Sequence, residues 1–553
     1  MLSDLKEPPK VQIDLENLDQ RILALPIPNR NYDGIFAGKA NTLYLLEAEA
    51  VNIPRRGPPP GKVLHKFDLS KRKFEKLLDD VNELAVSNNG GKILYRVGPK
   101  NWFLIATDTP AKPGEGPPKP GEGAQKPGEK PLKLDEIEVK VDPRAEWKQI
   151  YHETWRLQRD FLYDPNAHGL NLAASEKKYE PYLAGLGSRH DLSLLMEEML
   201  GELCLGHVYL DSGDTPEAPD TKTGLLGADY AIENGRFKFA KIYRGEGWNP
   251  ELRAPLLQPG SSVKEGEYLL AVNGKEVRAE NNVYSYFEAT AGKQTRIKVG
   301  PNADGKDSRN VTVVPVPDER LLRGLAWVED NRKKVEKLSG GRVAYVYVPD
   351  TSAEGFARFN RYFFAQTDKE GAVIDERFNG GGQLADHIVD YLRQPLRNYL
   401  TGRDGEGEAM PFPGGAIHGP KVMLINERAG SGGDYLPYTF RQAGLGPLVG
   451  KRTWGGLVGI GGYPALIDGG SVTAPRMGIF FPNGRWDVEN RGVPADVEVE
   501  FEPKAAREGR DPQLEKAVEI VLAKLKESPP TKVERPPFPN YYKADVKEPA
   551  EGK

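Results

Sequence analysis

The 553-residue sequence contains a single cysteine, Cys204. One cysteine cannot form an intrachain disulfide, and it excludes a metal cluster built on several thiolates. Long hydrophobic runs are also missing, because no apolar stretch approaches the ~18 residues that a transmembrane helix needs. An excess of positive charge is missing as well, since 80 acidic residues outnumber 76 basic ones and the net charge is −4. The sequence therefore gives no electrostatic basis for binding nucleic acid or an anionic membrane.

What the sequence does contain is an ordinary globular composition, with 38% hydrophobic residues and 61 glycines. At roughly 100–200 residues per domain, its length predicts about three to five domains. The first residues lack the basic-then-apolar pattern of a secretory signal. We expect a cytoplasmic protein for the chain as given, and a periplasmic or secreted one if an N-terminal signal was removed.

A segment rich in Lys, Pro and Gly, which repeats KPGE, marks a domain boundary at 111–133. Such a composition is typical of a solvated, semi-extended linker without a core. In the preceding residues, 1–110, short apolar strands alternate with turns, and Asp-Leu pairs recur about 54 residues apart at Asp14 and Asp68. This spacing fits a four-stranded propeller blade, but two blades cannot close a propeller. A partial β-propeller is favoured over a small open sheet.

Two units are predicted between the linker and residue 316. Residues 134–222 favour a helical unit, because Asp142-Pro143 is an N-cap followed by proline at the first helical position. A later helix of this unit runs into a turn that carries His207 and then into a strand. Residues 223–316 predict short strands around one helix, with a hairpin turn at Asn273-Gly274.

Residues 317–527 follow the alternation of strands and helices that is typical of a mostly parallel sheet. The predicted strands and helices are Arg342–Val348, Ala372–Arg377, Lys421–Ile425 and Leu448–Gly450, and Ala385–Arg393, Gly433–Gly444 and Asp511–Leu525. The last residues, 528–553, form a tail. The chain is therefore expected to combine β and α/β domains.

Ser431 lies between glycines where a predicted strand ends and a helix begins. This arrangement exposes the hydroxyl at a helix N-terminus, where backbone N–H groups can stabilise an oxyanion. The motif is not a strict G-x-S-x-G, because Ala429 occupies the position of the first glycine. The alternative is that Ser431 only caps the helix. The local pattern leaves both interpretations open.

Three further segments are candidates for chemistry. Gly380-Gly381-Gly382 follows an apolar strand and would let the backbone approach a ligand, or would form a flexible turn. His207, one of seven histidines, directly follows an apolar helix and is either a base or a satisfied core residue. Glu489 precedes a turn with glycine and proline and is either a functional group or a solvated loop carboxylate.

The order of these segments resembles the catalytic half of the tricorn protease family, whose serine peptidase class includes the carboxy-terminal processing proteases. The resemblance rests on a helical unit ending in His207, a PDZ-like insert, and the motifs at 379–382, 426–431 and 489–496. It covers about residues 140–525. It implies a β-propeller remnant, a helical subdomain, a PDZ-like domain and an α/β peptidase core of the crotonase and processing-protease type.

The resemblance also implies an activity, that of a serine endopeptidase acting on peptides or unfolded protein segments. In this family pattern, Ser431 is the nucleophile, His207 is the general base and Glu489 helps to orient the base. The amides of Gly432 and Gly382 would form the oxyanion hole. Neither a metal nor another cofactor is implied.

Substrate binding and assembly can be carried over from the same resemblance. Gly224-Leu225-Leu226-Gly227 is similar to the carboxylate-binding loop of PDZ domains, whose amides hold a peptide C-terminus. The alternative is a structural insert with an occluded groove. In the family an acidic residue lines the primary specificity pocket, and Asp404 and Glu406 are the candidates here. Peptides are the expected partners, and a homo-oligomer, a hexamer in the family, is the expected assembly.

Two positions depart from the patterns of relatives. Processing proteases have a Ser/Lys dyad with the lysine 25 residues after the serine, where this chain has Gly456. The tricorn family has a serine just before its histidine, where this chain has Gly206. We therefore expect a water or another residue to connect His207 with Glu489.

Other functions compete with the peptidase interpretation. One is a catalytically inactive, PDZ-containing scaffold that binds peptides. Another is a Ser/Lys processing protease, which Gly456 disfavours. A third, a crotonase-type acyl-CoA enzyme, would need neither a nucleophilic serine nor a PDZ insert.

Overall fold

The computed structural model describes residues 16, 24–49, 61–107, 131–216, 218, 220–249, 252–402, 409–530 and 533–542. The chain divides into two compact units, 1–141 and 142–553. Most of the predicted linker, up to residue 130, lies outside the described residues, as does Asp14. In the part of the chain that is described, no helix is both long and apolar enough to cross a bilayer.

Two antiparallel sheets contain all of the strands in the described part of the first unit, which also has a 3₁₀ turn at Leu134–Glu136. The four strands of the first sheet, paired in sequence order, are β1 (Tyr32–Ala37), β2 (Thr42–Glu47), β3 (Lys62–Asp68) and β4 (Lys73–Val81). The three strands of the second sheet are β5 (Glu83–Val86), β6 (Lys92–Val97) and β7 (Asn101–Ala106). Both sheets contribute side chains to one core, including Tyr44, Leu64 and Ile93. These sheets do not show a closed propeller, and the propeller interpretation stays a prediction.

The second unit opens with a group of helices. They are α1 (Pro143–Phe161), α2 (Leu172–Tyr179) and α3 (Arg189–Gly201). The N-cap prediction for α1 is confirmed, because the Asp142 carboxylate accepts hydrogen bonds from the N–H groups of Arg144 and Ala145. After α3, the short strand β8 (Leu210–Asp211) pairs antiparallel with Ser471–Val472 and so joins the helices to the C-terminal core.

An antiparallel sheet forms the middle of the second unit. Its strands are β9 (Ala228–Glu233), β10 (Arg236–Ile242), β11 (Tyr268–Val272), β12 (Lys275–Glu276), β13 (Thr295–Gly300) and β14 (Arg309–Val313). The strand order is β14-β13-β11-β10-β9, with β12 paired to β11, so β9 lies at an edge. A 3₁₀ turn at Val283–Phe287 packs its buried residues, Val283 and Phe287, into the core of this sheet.

The C-terminal part is a three-layer α/β core. Its main elements are α4 (Arg320–Ser339), β15 (Val343–Tyr347), α5 (Ala353–Phe364), β16 (Gly371–Asp375), α6 (Ala385–Leu392), β19 (Lys421–Ile425), α7 (Gly432–Gln442), β20 (Leu448–Gly450), β24 (Val497–Glu498) and α9 (Pro512–Glu527). Short elements fill the connections: β17 (Asn398–Leu400), β18 (Met410–Phe412), β21 (Val458–Gly459), β22 (Ser471–Val472), β23 (Met477–Gly478) and α8 (Pro503–Arg507).

The core sheet is parallel throughout, with the order β15-β16-β19-β20-β24. Alternate residues of its strands face opposite helix layers, because Ile374 packs with the cluster of α5, α6 and α7 whereas Val373 packs with that of α4 and α9. In the register of β16 and β19, Asp375 pairs with Leu424. The loops that follow these two strands therefore emerge side by side at the carboxyl edge of the sheet, where ligands of such sheets bind.

Candidate active site

Ser431 lies in a sharp turn between β19 and α7, at this carboxyl edge. Its φ is 58° and its ψ is −116°, a backbone conformation that residues with a Cβ rarely adopt. An ordinary N-cap serine has an extended backbone, as Ser188 at the start of α3 does with φ −150° and ψ 164°. Ser431 therefore differs from a simple cap, and its turn resembles the strained elbow that presents a nucleophile.

The glycine triplet passes directly beside this turn. A Cβ placed on Gly381 would lie only 2.7 Å from the Cβ of Ser431. A Cβ on Gly432 would lie 2.8 Å from the nitrogen of Gly382 and 2.4 Å from its oxygen. The φ angles of Gly381 and Gly382 are 87° and 133°, which favour glycine. Only residues without side chains allow these two backbones to approach so closely.

The free amides at this junction are those of Gly382 and Gly432. The N–H groups of the two preceding glycines already donate to Pro349 O and Asn379 Oδ1, both at 2.9 Å. Among the described residues, no hydrogen bond engages the N–H of Gly382 or that of Gly432. Gly432 opens α7, where the helix dipole is positive. The structure thus brings the predicted nucleophile and both predicted oxyanion-hole residues together.

His207 lies on the loop that follows α3, and the residue is only 9% exposed. Burial lowers the pKa of this imidazole. Its ring lies against Trp454, with centroids 5.4 Å apart, and its backbone oxygen accepts a hydrogen bond from Thr473 Oγ1 at 2.7 Å. The Nδ1 atom is buried without a hydrogen-bond partner in the described structure. His207 is therefore a shielded imidazole whose surroundings favour the neutral form of the ring.

Glu489 holds the backbone of the His207 loop. Its Oε1 accepts a hydrogen bond from the Gly206 N–H at 3.1 Å, and its Oε2 accepts one from the Leu457 N–H. Burial raises the pKa of this carboxyl group, and these two hydrogen bonds oppose the rise. In the described part of the chain, His207 is hydrogen-bonded neither to Glu489 nor to Ser431. The glutamate therefore contacts the neighbour of the predicted base rather than its ring.

Gly206 and Gly456 lie between the nucleophile and the loop that follows α3 and carries His207, which we call the base loop. A Cβ on Gly206 would lie 3.1 Å from the Cα of Gly456 and 3.4 Å from Glu489 Oε1. The oxygen of Gly456 in turn accepts the Ser431 N–H at 3.0 Å. A Cβ on Gly456 would lie 2.3 Å from the ring of Trp454, so this indole fills the space in which a lysine side chain would begin.

A cavity of about 430 Å³ opens beside the base loop. Its walls include Cys204, Leu205, Gly206, Trp454, Gly455 and Asn490. The cavity thus borders the residue before His207 and the indole that packs on its ring. The predicted specificity residues Asp404 and Glu406 lie outside the described residues, and their role stays a prediction.

Most amides of the predicted PDZ loop, Gly224-Leu225-Leu226-Gly227, are already used within the chain. The first two N–H groups donate to the backbone oxygens of Phe287 and Val316, at 2.9 and 2.8 Å. The last one, from Gly227, donates to the Glu319 carboxylate at 2.9 Å. Glu319 is 8% exposed. An internal carboxylate therefore occupies part of the loop that was predicted to receive a peptide C-terminus.

Two residues near Ser431 were missed as functional candidates. Asp434 is the third residue of α7, and a serine followed three residues later by an acidic residue at a helix start is a recognisable capping pattern. Trp454 carries no local signal, because its contacts with His207 and Gly456 depend on the fold. In the described ranges, no group of three or more His, Cys, Asp and Glu side chains is arranged to hold a metal ion.

Comparison with protein families gives three matches along the chain. They are the Tricorn protease C1 domain at residues 143–201, the Tricorn protease PDZ domain at 224–318 and Peptidase family S41 at 342–499. The first two lie in the helical and antiparallel parts of the second unit. The third covers the parallel sheet with the Ser431 turn, the glycine triplet and Glu489.

Curated relatives extend the likeness over most of the chain. "Tricorn protease homolog 1" of Streptomyces coelicolor is 33% identical over 94% of this chain and 48% of that protein. "Tricorn protease" of Thermoplasma volcanium is 30% identical over 94% of this chain and 49% of that protein. The chain therefore spans about half the length of these relatives.

A solved structure agrees with this result. The crystal structure of the tricorn protease matches with a TM-score of 0.82 at 26% identity, covering 94% of this chain and 49% of that one. The predicted PDZ-like domain and peptidase domain are thus confirmed by the family matches, and the overall fold resembles that of the tricorn protease. The chain belongs to the tricorn protease family and has that family's PDZ and S41 peptidase domains.

Proposed function

We propose that this chain is a serine endopeptidase that hydrolyses peptides or unfolded protein segments. The observation that carries the proposal is the pair of unengaged N–H groups, of Gly432 and Gly382, beside the strained turn of Ser431. Amides placed in advance at such a point stabilise the negative charge that develops on a carbonyl oxygen during acyl transfer. The names of the relatives, which are called proteases, support the same reaction class.

In the proposed reaction, Ser431 Oγ attacks the scissile carbonyl carbon while His207 takes the hydroxyl proton. The carbonyl oxygen becomes an oxyanion between the amides of Gly432 and Gly382. His207 then gives the proton to the leaving amine, and a water hydrolyses the acyl-enzyme by the same steps. Burial favours this role, because the lowered pKa of His207 keeps the ring neutral and able to accept a proton.

Substrate binding has to bring the His207 ring to Ser431, since the two are not hydrogen-bonded in the described structure. Catalytic hydrogen bonds often form fully only in the complex with substrate. We assign Glu489 the task of holding the base loop through the Gly206 N–H. A water between Nδ1 of His207 and this carboxylate would satisfy the orphaned ring nitrogen.

The same-class alternative, a Ser/Lys processing protease, is disfavoured by Gly456 and by the Trp454 indole that packs where a lysine would start. The inactive peptide-binding scaffold is the alternative that the missing Ser431–His207 hydrogen bond favours. Peptides are the proposed substrates, and assembly of identical chains as a hexamer is proposed from the family resemblance alone.

The test is the Ser431→Ala variant. Losing the nucleophile should lower kcat for a fluorogenic peptide by about 10⁴-fold or more, and it should abolish labelling by a fluorophosphonate probe. Ser188→Ala is the matched control, because Ser188 opens α3 with an extended backbone and lies outside the proposed site. That control should lower thermal stability and leave labelling unchanged. An unlabelled, inactive wild-type protein would instead identify the scaffold alternative.

A further inference from the structure

Asp434 is a fully buried carboxylate at which four hydrogen bonds converge. Its Oδ1 accepts from the Gly455 N–H at 2.8 Å and from the Thr453 hydroxyl. Its Oδ2 accepts from the Ser431 N–H at 2.9 Å and from the Gly456 N–H at 3.1 Å. Two oxygens of an ionised carboxylate can accept all four bonds. The nucleophile's own backbone is thereby fastened to a second loop.

That second loop, residues 453–457, continues to the base. Its last N–H donates to Glu489, and the other oxygen of this glutamate accepts from Gly206, the residue before His207. The backbones of the two loops also touch, because a Cβ on Gly206 would lie 3.1 Å from the Cα of Gly456. The loop is therefore anchored to the nucleophile at one end and to the base loop at the other.

A second carboxyl group, Glu376, is buried near Asp434. Neither of its side-chain oxygens has a hydrogen-bond partner in the described structure. Burial and the negative charges of Asp434 and Asp375 raise the pKa of Glu376 well above its usual range, which favours the protonated form of this carboxyl group. Burial also raises the pKa of Asp434, but its hydrogen bonds oppose that rise. The two carboxyl groups thus differ in their surroundings, because four donors face Asp434 and Glu376 has no hydrogen-bond partner in the described structure.

We propose that Asp434 is a positioning residue for the reaction: it fixes the Ser431 turn against the 453–457 loop and so sets the separation between nucleophile and base. The inference rests on the proposed peptidase function. Its role exceeds helix capping, as the equivalent residue of α3 demonstrates. Asp191 also stands third in its helix and accepts from the Ser188 and Gly187 N–H groups, both at 2.9 Å. The hydrogen bonds of Asp191 involve only residues at the start of its own helix, whereas those of Asp434 also reach the separate loop at 453–457.

The experiment compares Asp434→Asn with Asp191→Asn in the full chain. An amide cannot accept all four hydrogen bonds, so the Ser431 turn should shift against the 453–457 loop. Both variants should lower Tm, because both lose a capping carboxylate. Only Asp434→Asn should lower kcat, by about 30- to 100-fold at nearly unchanged KM, since small misplacements of reacting groups have effects of this size. Fluorophosphonate labelling of Ser431 should slow by the same factor.

A kcat for Asp434→Asn within threefold of wild type, or a loss no greater than that of Asp191→Asn, would overturn the proposal. If Asp434→Asn does not fold, the pair Thr453→Val and Thr453→Ser replaces it. Valine removes the hydroxyl that donates to Asp434, whereas serine keeps it. The valine variant should lose about tenfold or more in kcat and the serine variant should recover most of it. Equal kcat values in this pair would also overturn the proposal.

The outcome for Ser431→Ala separates this inference from the proposed function. If Ser431→Ala retains activity, the peptidase mechanism itself is wrong, whatever Asp434→Asn does. If Ser431→Ala is inactive while Asp434→Asn and Thr453→Val resemble wild type, the mechanism stands and only the positioning role of Asp434 fails.

Discussion

At the residue scale, Gly206 and Gly456 let the loop that carries His207 approach residues 453–457, which in turn contact the Ser431 turn. A Cβ added to Gly206 would lie only 3.1 Å from the Cα of Gly456. A Cβ added to Gly456 would collide with the Trp454 ring, so the absence of side chains at both positions allows this packing. Gly206 has no hydroxyl group that could bond the neighbouring imidazole, and the Nδ1 atom of His207 is buried without a hydrogen-bond partner in the described structure. An unsatisfied buried donor or acceptor costs about 1–3 kcal/mol, so a bridging water or an added hydroxyl should be favourable.

The unpartnered Nδ1 atom of His207 leads to a prediction for the activity of the Gly206→Ser variant. The new Cβ would lie 3.4 Å from Glu489 Oε1, so its hydroxyl would be within reach of the carboxylate. We expect kcat to change only about two- to fivefold, because the hydroxyl replaces a water rather than adding a new reacting group. Glu489→Gln should lower kcat in both backgrounds and more strongly in the serine variant. A double-mutant cycle measures the coupling. Strict additivity would remove the role of Glu489 in positioning the base through residue 206.

The pH dependence of the reaction is set by His207. Its imidazole must be neutral to accept the serine proton, and burial lowers its pKa. The rate, as kcat/KM, should therefore rise with pH and reach half of its plateau below the ordinary histidine value of about 6.5. Trp454→Ala exposes the ring and should move this midpoint upward, towards 6.5, because desolvation of the charged form is relieved. A rate independent of pH between 4.5 and 8, with chemistry rate-limiting, would contradict a histidine base.

At the scale of elements, the PDZ loop is hydrogen-bonded to the residue that precedes α4. The Gly227 N–H donates to Glu319, which immediately precedes α4, and Arg323 of the same helix holds the other oxygen of that carboxylate. The edge strand β9, which follows the loop, is nevertheless free on one side in the described sheet. We therefore expect that an extended peptide can add to β9, and that Glu319 partly fills the predicted site for its terminal carboxylate.

This contact predicts that the wild-type chain does not prefer free peptide C-termini. Fluorescence anisotropy should give the same Kd, within about threefold, for a labelled peptide and for its C-terminal amide. In Glu319→Ala the Gly227 N–H loses its acceptor and becomes available, so a preference for the free carboxylate of about fivefold or more should appear. Asp318→Ala, which alters the neighbouring residue, is the control. A tenfold preference in the wild-type chain would show that Glu319 does not occupy the site.

Elements with strong local signals were predictable from the sequence. The strands Lys421–Ile425 and Leu448–Gly450 have the predicted bounds, since each is a short apolar run ending at a turn. The cap at Asp142 is equally local. The contact of Glu489 with Gly206, by contrast, joins residues 283 positions apart, and that of Gly227 with Glu319 joins residues 92 apart. Motifs pointed to Glu489, Gly206 and Gly227. They did not point to Glu319, and only the fold decides which atoms these groups contact.

At the scale of the whole molecule, the proposed chemistry belongs to one of two compact units. Ser431, His207, Asp434 and Glu489 all lie in 142–553, whereas the two antiparallel sheets lie in 1–141. The first unit has a core of its own, with Tyr44 and Leu64 fully buried or nearly so. The chain spans about half the length of its curated relatives. None of the proposed site residues lies in the first unit, so the site does not explain what that unit contributes to activity.

This division predicts that a chain beginning at Val141 retains the reaction centre. The start point keeps Asp142, whose carboxylate caps α1, and leaves every hydrogen bond between Ser431, Asp434, the 453–457 loop and Glu489 in place. Fluorophosphonate labelling and kcat for a short fluorogenic peptide should stay within about threefold of the full chain, because the reacting groups and their anchors are unchanged. The truncated Ser431→Ala variant should remain unlabelled. A truncated chain that keeps its Tm and circular dichroism but loses labelling would mean that residues before 141 help to order the site. In that case the effect should appear in kcat, because a poorly ordered site misplaces the reacting groups.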